Sequence, residues 1–336
     1  MSKEARAMSP QASQVVDHLR PQLAALERER QALSDRTRRL LIIIGVTSLL
    51  AAVLLRLILG SDWGGMAILA LIAGAVVAVW QLMVRQKQWE QRVLDAAIPV
   101  ICESLGEIAY QATTSANDFV PAFEKLGVVG TSSRRELRHY FRGKYDGTGF
   151  EFADAMLRSG SSSKNSGGST AVFQGLLFRI QLPYSVDQRL LISPRVSIKL
   201  LNKRADMSEV LLADPAFDEK FVVHHELNHP DGAALAARII TPEFRQGLLE
   251  LNQQEGNKAF GMGAFVIGLM YDSLYIAKSG YQKTSAIGKI QIESPIPFLD
   301  VRFFMRSKSK LEERVGRMVE DVATVYRVID KLPLAA

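Results

Sequence analysis

Two unbroken apolar runs, Leu40–Leu59 and Met66–Val84, dominate the pattern of the chain, joined by Gly60-Ser61-Asp62-Trp63-Gly64-Gly65. As a helix rising about 1.5 Å per residue, each is long enough to cross a hydrocarbon layer roughly 30 Å thick. So short a connection forces the two helices to run antiparallel, and the pattern predicts a transmembrane hairpin over 40–84. Ahead of it, Val16, Leu19, Leu23, Leu26, Leu33 and Leu40 alternate at three- and four-residue spacing, with Arg30 and Thr37 in the same register. This predicts an amphipathic or short coiled-coil helix within 1–39, starting near Pro21 and able to self-associate.

Beyond the hairpin, 85–125 reads as a membrane-proximal helical region. Val93, Leu94, Ala97, Ile101, Leu105 and Ile108 supply one apolar face along Gln86–Tyr110, with a break near Pro99. Residues 126–308 read as an α+β domain. The Ser/Gly-rich stretch Ser159–Ser169 offers almost nothing to bury, so 159–171 is expected to be a flexible loop.

Period-two alternation then predicts strands at Val172–Leu182, Val196–Leu200, Glu209–Leu212 and Lys220–His225. A β-hairpin is expected from Ala264–Met270 and Leu274–Ala277 around Tyr271-Asp272-Ser273. Ile290–Ile292 and Leu299–Phe304 read as edge strands beside Pro295 and Pro297. Thr241-Pro242-Glu243 starts a helix carrying Phe244, Leu248 and Leu251. Within 309–336, Ser309-Lys310-Leu311-Glu312 is a capping box. It opens an amphipathic helix striped by Leu311, Val315, Met318, Val322, Val325 and Ile329, closed by Pro333. The predicted class is α+β: a transmembrane hairpin followed by a cytoplasmic domain with a mainly antiparallel sheet and helices packed on one face.

Charge orients the hairpin. Arg28, Arg30, Arg36, Arg38 and Arg39 precede the first span, and Arg85, Lys87 and Arg92 follow the second, whereas the connecting loop has no Lys or Arg. By the positive-inside rule both termini stay in the cytoplasm of a two-pass inner-membrane protein. Trp63 and Trp80 fit the interfacial belts, and Arg56 lies close enough to the far end of its span to reach the headgroups. The polar segment before the first span is unlike a cleaved signal peptide. Residues 1–39 hold eight Lys/Arg against five Asp/Glu, and the whole chain has a net charge of +6. That excess suits contact with anionic lipid. No basic stripe with interleaved aromatics points to nucleic acid.

Cys102 is the sole cysteine and lies in the apolar sequence Ile98-Pro99-Val100-Ile101-Cys102, which fits a buried, inert thiol in a reducing compartment. His225-Glu226-Leu227-Asn228-His229 spells the H-E-x-x-H string of zinc proteases, extended to Gly232. That chemistry needs both imidazoles on one face of a helix, with the glutamate beside a metal-bound water. Pro230 disfavours helical geometry at His229, and Phe221-Val222-Val223 reads as a strand running into His224 and His225. Leu235 stands where a third histidine would follow, and Glu250 is the one downstream carboxylate that could be enlisted. Gly261-Met262-Gly263 is too short for a phosphate-binding fingerprint. No nucleophile–base pair, metal set or cofactor is implied.

Three stretches resemble a bacterial family designated domain of unknown function 3137. They are Val172-Phe-Gln-Gly-Leu-Leu-Phe178, Asp214-Pro-Ala-Phe-Asp-Glu-Lys-Phe-Val-Val223 and Arg238-Ile-Ile-Thr-Pro-Glu-Phe-Arg-Gln-Gly-Leu248. The resemblance spans roughly Leu126 to Tyr281. His224-His225-Glu226 departs from the family's pattern, which leaves the histidines outside it. The resemblance implies an N-terminal membrane hairpin, no assigned activity and a LemA-type membrane protein as partner. The expected function is a membrane-anchored, non-catalytic binding or scaffold protein contacting lipid and a protein partner. The alternative is a membrane-tethered zinc metallohydrolase using His225, Glu226 and His229.

Overall fold

The computed structural model describes residues 10–59, 64–160, 169–195, 206–255, 265–279, 281–287, 290–296 and 309–332. The elements, in chain order, are α1 (Pro10–Leu59), α2 (Gly64–Leu105), β1 (Ile108–Gln111), α3 (Ala116–Leu126), β2 (Arg134–Tyr145) and β3 (Thr148–Gly160). They continue with β4 (Ser169–Pro194), β5 (Met207–Val210), α4 (Pro215–Asp218), β6 (Phe221–Glu226), α5 (Gly232–Ile239) and α6 (Pro242–Glu255). The last are β7 (Phe265–Ser279), β8 (Tyr281–Ile287), β9 (Ile290–Ile296) and α7 (Ser309–Lys331). The chain divides into two units, Met1–Ser104 with Leu299–Glu320, and Leu105–Phe298 with Asp321–Ala336.

The first unit is helical. α1 is long and apolar enough to cross a membrane. Its N-terminal half buries the stripe read from the sequence: Val16, Leu19, Leu23, Arg30 and Thr37, with Glu27 beside Leu26. Arg30 donates to Glu27 at 2.6 Å, and both side chains are nearly buried. Arg85 of α2 donates to the Thr37 hydroxyl at 3.1 Å, and Arg92 pairs with Glu29. Trp89, Val93, Ala97 and Ile101 of α2 are buried, and Leu311 and Glu312 of α7 share a small pocket with Leu23, Ala24, Glu27 and Arg28.

Further along, burial ceases. Ile42, Ile43, Val46, Leu49, Leu50, Val53 and Leu54 of α1, and Ile68, Leu69, Ile72, Val76, Trp80 and Met83 of α2, are half-exposed or more. Here α1 and α2 approach so closely that a Cβ on Gly74 would lie 2.7 Å from Ser48 Cβ.

The second unit is a seven-stranded antiparallel sheet ordered β1-β2-β3-β4-β6-β5, with β7 along the other side of β4. The long β4 is shared: its first part pairs with β3, its last part with β6, and β7 follows it from Gly175 to Ile192. Phe119, Val120, Phe123 and Leu126 of α3 cover one face, packing with Leu137, Tyr140, Leu157, Leu177, Tyr275 and Ala277. On the opposite face Phe141, Phe152 and Phe178 form a ladder with ring centroids 4.6 and 5.4 Å apart. Tyr326 of α7 meets Phe150 there, edge to face at 5.7 Å. α6 joins α7 where Gly247 abuts the Lys331 carbonyl, a contact that any Cβ would block.

Several expectations are corrected. Helices cover both faces of the sheet, not one. The 85–125 region is not helical throughout: α2 runs through Pro99 to Leu105, then β1 forms before α3. Pro21 lies inside α1, costing one backbone hydrogen bond rather than starting the helix. Of the expected 159–171 loop, Ser159 and Gly160 belong to β3 and pair with Thr170 and Ser169 of β4, while residues 161–168 lie outside the described residues. Tyr271-Asp272-Ser273 is no turn. β7 continues through it, with Tyr271 at φ 56° where the register with β4 shifts. Ile290–Ile292 belongs to β9, which pairs with β8 in a separate two-stranded sheet. The expected strands Val196–Leu200 and Leu299–Phe304, the Gly261-Met262-Gly263 segment, Trp63 and Pro333 lie outside the described residues.

Candidate functional site

β6 carries His224, His225 and Glu226 between β4 and β5, with His225 opposite Leu190 and Ser208. Strand alternation buries His224 and leaves His225 half-buried. After Glu226 the chain turns: the His229 amide donates to the Glu226 carbonyl at 3.2 Å, and the Gly232 amide to the His229 carbonyl at 3.2 Å. α5 begins only at Gly232, so His225 and His229 do not share a helical face. Glu226 accepts from Arg189 at 3.3 Å, and Arg189 also holds Asp206 at 3.0 Å. His229 Nε2 lies 3.9 Å from Asp187. Glu250, the downstream carboxylate, is held by Lys331 at 2.5 Å and Gln246 at 3.1 Å.

Gly232 gathers this region. A Cβ there would strike the His225 ring, and the Gly232 carbonyl accepts from the buried Gln188 amide at 3.1 Å. Nδ1 of His225, Nδ1 of His229 and Oε1 of Gln188 have no hydrogen-bond partner among the described residues. No group of three or more His, Cys, Asp or Glu is placed to hold a metal ion among them.

A second constellation has no counterpart in the sequence reading. On the α3 face, Arg142 of β2, Glu151 of β3, Arg179 of β4 and Tyr275 of β7 stand opposite one another across four strands. In the adjoining row Lys144 faces Gly149, and Gln181 faces Ser273. A cleft of about 880 Å³ opens over these rows, lined by Arg142, Lys144, Glu151, Arg179, Gln181 and Ser273 among others. Such a volume suits a small-molecule ligand.

The charges in this cleft are unevenly satisfied. Glu151 is 13% exposed and takes Arg179 at 2.6 Å, whereas Arg142 approaches it only to 3.6 Å and is 72% exposed. The Arg179 guanidinium sits 5.8 Å from the centroid of the Phe119 ring, which fixes it further. Burial, reinforced by the Glu151 charge and its hydrogen bond, pushes the Tyr140 phenol up to about 12. Lys144 makes no ion pair among the described residues, and Asp272 at the far corner accepts from Ser273 Oγ at 3.0 Å. Gly143 lets the backbone of Glu107 come close, since a Cβ there would lie 2.5 Å from the Glu107 carbonyl.

The chain matches no family model and no curated protein. Among solved structures it is similar to the crystal structure of the mycobacterial trehalose monomycolate transport factor A, TtfA, at 10% identity. The match covers 73% of this chain and 97% of that one, with a TM-score of 0.33, a likeness too distant to define fold or function.

Proposed function

We propose that the chain is a two-pass, membrane-anchored, non-catalytic binding protein whose sheet unit works in the cytoplasm. The carrying observation is the band of outward-facing apolar side chains on α1 and α2, from Leu71 at 43% to Leu57 at 77% exposed. Left in water, such a band would far exceed the apolar patches that soluble proteins expose, and hydrocarbon is the solvent it fits. Just before it on α1 the buried Thr37 takes the Arg85 side chain, and the buried Glu27–Arg30 pair lies about two to three helical turns further back, so these polar groups fall outside the band rather than within it. The Lys/Arg asymmetry supports cytoplasmic termini. The resemblance to the domain of unknown function 3137 family agrees with this reading, including a protein partner.

A non-catalytic role is supported by the state of the chemical groups. Glu226 is committed to Arg189, and burial pushes the Cys102 thiol up, keeping it protonated and poorly nucleophilic. In a Cys102→Ser background, single cysteines replace Ser61 in the hairpin loop and Ser115, an exposed residue whose side chain caps nothing. An impermeant maleimide added to intact spheroplasts should label the first and reach the second only after lysis. Labelling of Ser115→Cys on intact spheroplasts, or release of the protein by alkaline carbonate, would overturn the topology.

A further inference from the structure

We propose that the cleft above Arg142, Lys144, Gln181 and Ser273 binds a phosphate-bearing ligand with a hydroxyl- or amine-bearing body. The inference names the ligand class of the binding protein inferred above and rests on that reading. Arg142 and Lys144 lie two residues apart on β2 and line the same cleft, about 7 Å apart along the strand. Glu151 is neutralised by Arg179, so Arg142 keeps most of its guanidinium fork free, and Lys144 has its full charge to offer.

A tetrahedral phosphate has enough acceptor oxygens to take the fork and the ammonium together, which a planar carboxylate engaged side-on by the arginine does not. At this end Arg142 and Lys144 outnumber the exposed carboxylate of Glu107, which also lines the cleft, and from there the floor crosses β3 and β4 to β7, roughly 14 Å at about 4.8 Å per strand. There it presents the Gln181 amide, the Ser273 hydroxyl and the carboxylate of Asp272. That corner repels a second anion and accepts hydrogen bonds from hydroxyl or amine groups. The cleft is therefore polarised along its length, phosphate towards β2 and a neutral or cationic body towards β7.

The phosphate can be that of a soluble phosphomonoester or of a lipid headgroup, and two probes separate them. Purified full-length protein in a neutral detergent is titrated with glycerol 3-phosphate, and separately with dihexanoyl phosphatidic acid, while the ³¹P line width is followed. Broadening of either probe, reversed by inorganic phosphate but not by chloride at equal ionic strength, is expected. The probe that binds more tightly identifies the source. Arg142→Gln with Lys144→Gln should weaken binding about tenfold or more, the loss expected from charge-assisted hydrogen bonds. Arg134→Gln with Arg238→Gln removes the same charge from exposed sites outside the cleft and should leave binding unchanged. Because all four residues are exposed, thermal unfolding should match the parent protein in both variants. Absence of broadening with both probes, or equal loss in the two double variants, would overturn the site. The spheroplast labelling result would be untouched by either outcome.

Discussion

Lys278 of β7 reaches Asp321 of α7 with its Nζ 3.0 Å from Oδ1, and the same ammonium donates to the Thr324 hydroxyl at 3.0 Å. Both charged side chains are about 5% exposed, and Leu274 and Ile276 of the same strand and Val322 and Val325 of the same helix are fully buried. A pair so placed stabilises little against a well-packed apolar substitute, yet removing one partner strands the other charge. Lys278→Met alone should cost roughly 3–5 kcal/mol, and Lys278→Met with Asp321→Leu should recover most of it. Urea unfolding followed by sheet circular dichroism measures both. Equal loss in the single and double variants would show that the ion pair is net stabilising.

The α7 stripe is core. Leu311, Val315, Met318, Val322 and Val325 are at most 1% exposed, so the spacing read from the sequence reports packing rather than a partner surface. Val322→Asp should place a second carboxylate beside Asp321 without a counter-charge and unfold the sheet unit at growth temperature. Glu313→Gln on the exposed side of the same helix should stay within about 0.5 kcal/mol of the parent. An unaltered melting profile for Val322→Asp would disprove the packing.

His139 makes stability depend on pH. It sits at the β2 bulge with φ 51°, nearly buried, its Nδ1 3.1 Å from the Tyr110 hydroxyl. Burial first, and the neighbouring Arg138 charge second, lower its pKa from 6.5 to about 4. Between those values the unfolded chain binds a proton that the folded chain does not. Stability therefore rises with pH across that window, and up to about 3 kcal/mol is lost as pH falls from 6.5 towards 4. His139→Asn tolerates the left-handed backbone and carries no titrating group. It should flatten the stability profile between pH 4 and 6.5, and a slope equal to the parent's would refute the assignment.

Legibility followed locality. The apolar runs, the α7 stripe and the Thr241 cap, whose hydroxyl accepts from the Phe244 amide at 3.2 Å, each lie within one element and needed no register. β2 and β3 lie outside the strands that the alternation predicts, although Asp146-Gly147, with φ 46° and 75°, is a strong two-residue hairpin signal. β7 departs from the expected hairpin because Tyr271-Asp272-Ser273 has turn composition, while the strand absorbs the irregularity with a positive φ at Tyr271 where its register with β4 shifts. The cleft was illegible for a different reason. Arg142, Glu151, Arg179 and Tyr275 are scattered along the chain and meet only through the pairing of four strands. The histidine string shows the converse: adjacent letters matched a motif whose helical geometry the fold does not supply.

That string yields the last prediction. Zinc requires converging, deprotonated ligands, usually four and at least three from the protein. Here His225 leaves a strand and His229 follows a turn, Glu226 is paired with Arg189, the Asp187 carboxylate 3.9 Å from His229 Nε2 is 77% exposed, and Gln188 offers only an amide oxygen that binds zinc weakly. The unpaired nitrogens around Gly232 can instead be met by water, which suits a small polar recess. Protein purified without a histidine tag should contain no stoichiometric zinc, and His225→Ala with His229→Ala should shift the melting temperature by only a few degrees. Gly232→Ala, which drives a methyl group into the His225 ring, should destabilise more than that double change. About one zinc per chain, lost in the double variant, would mean that the turn rearranges into a metal site and would restore the metallohydrolase reading.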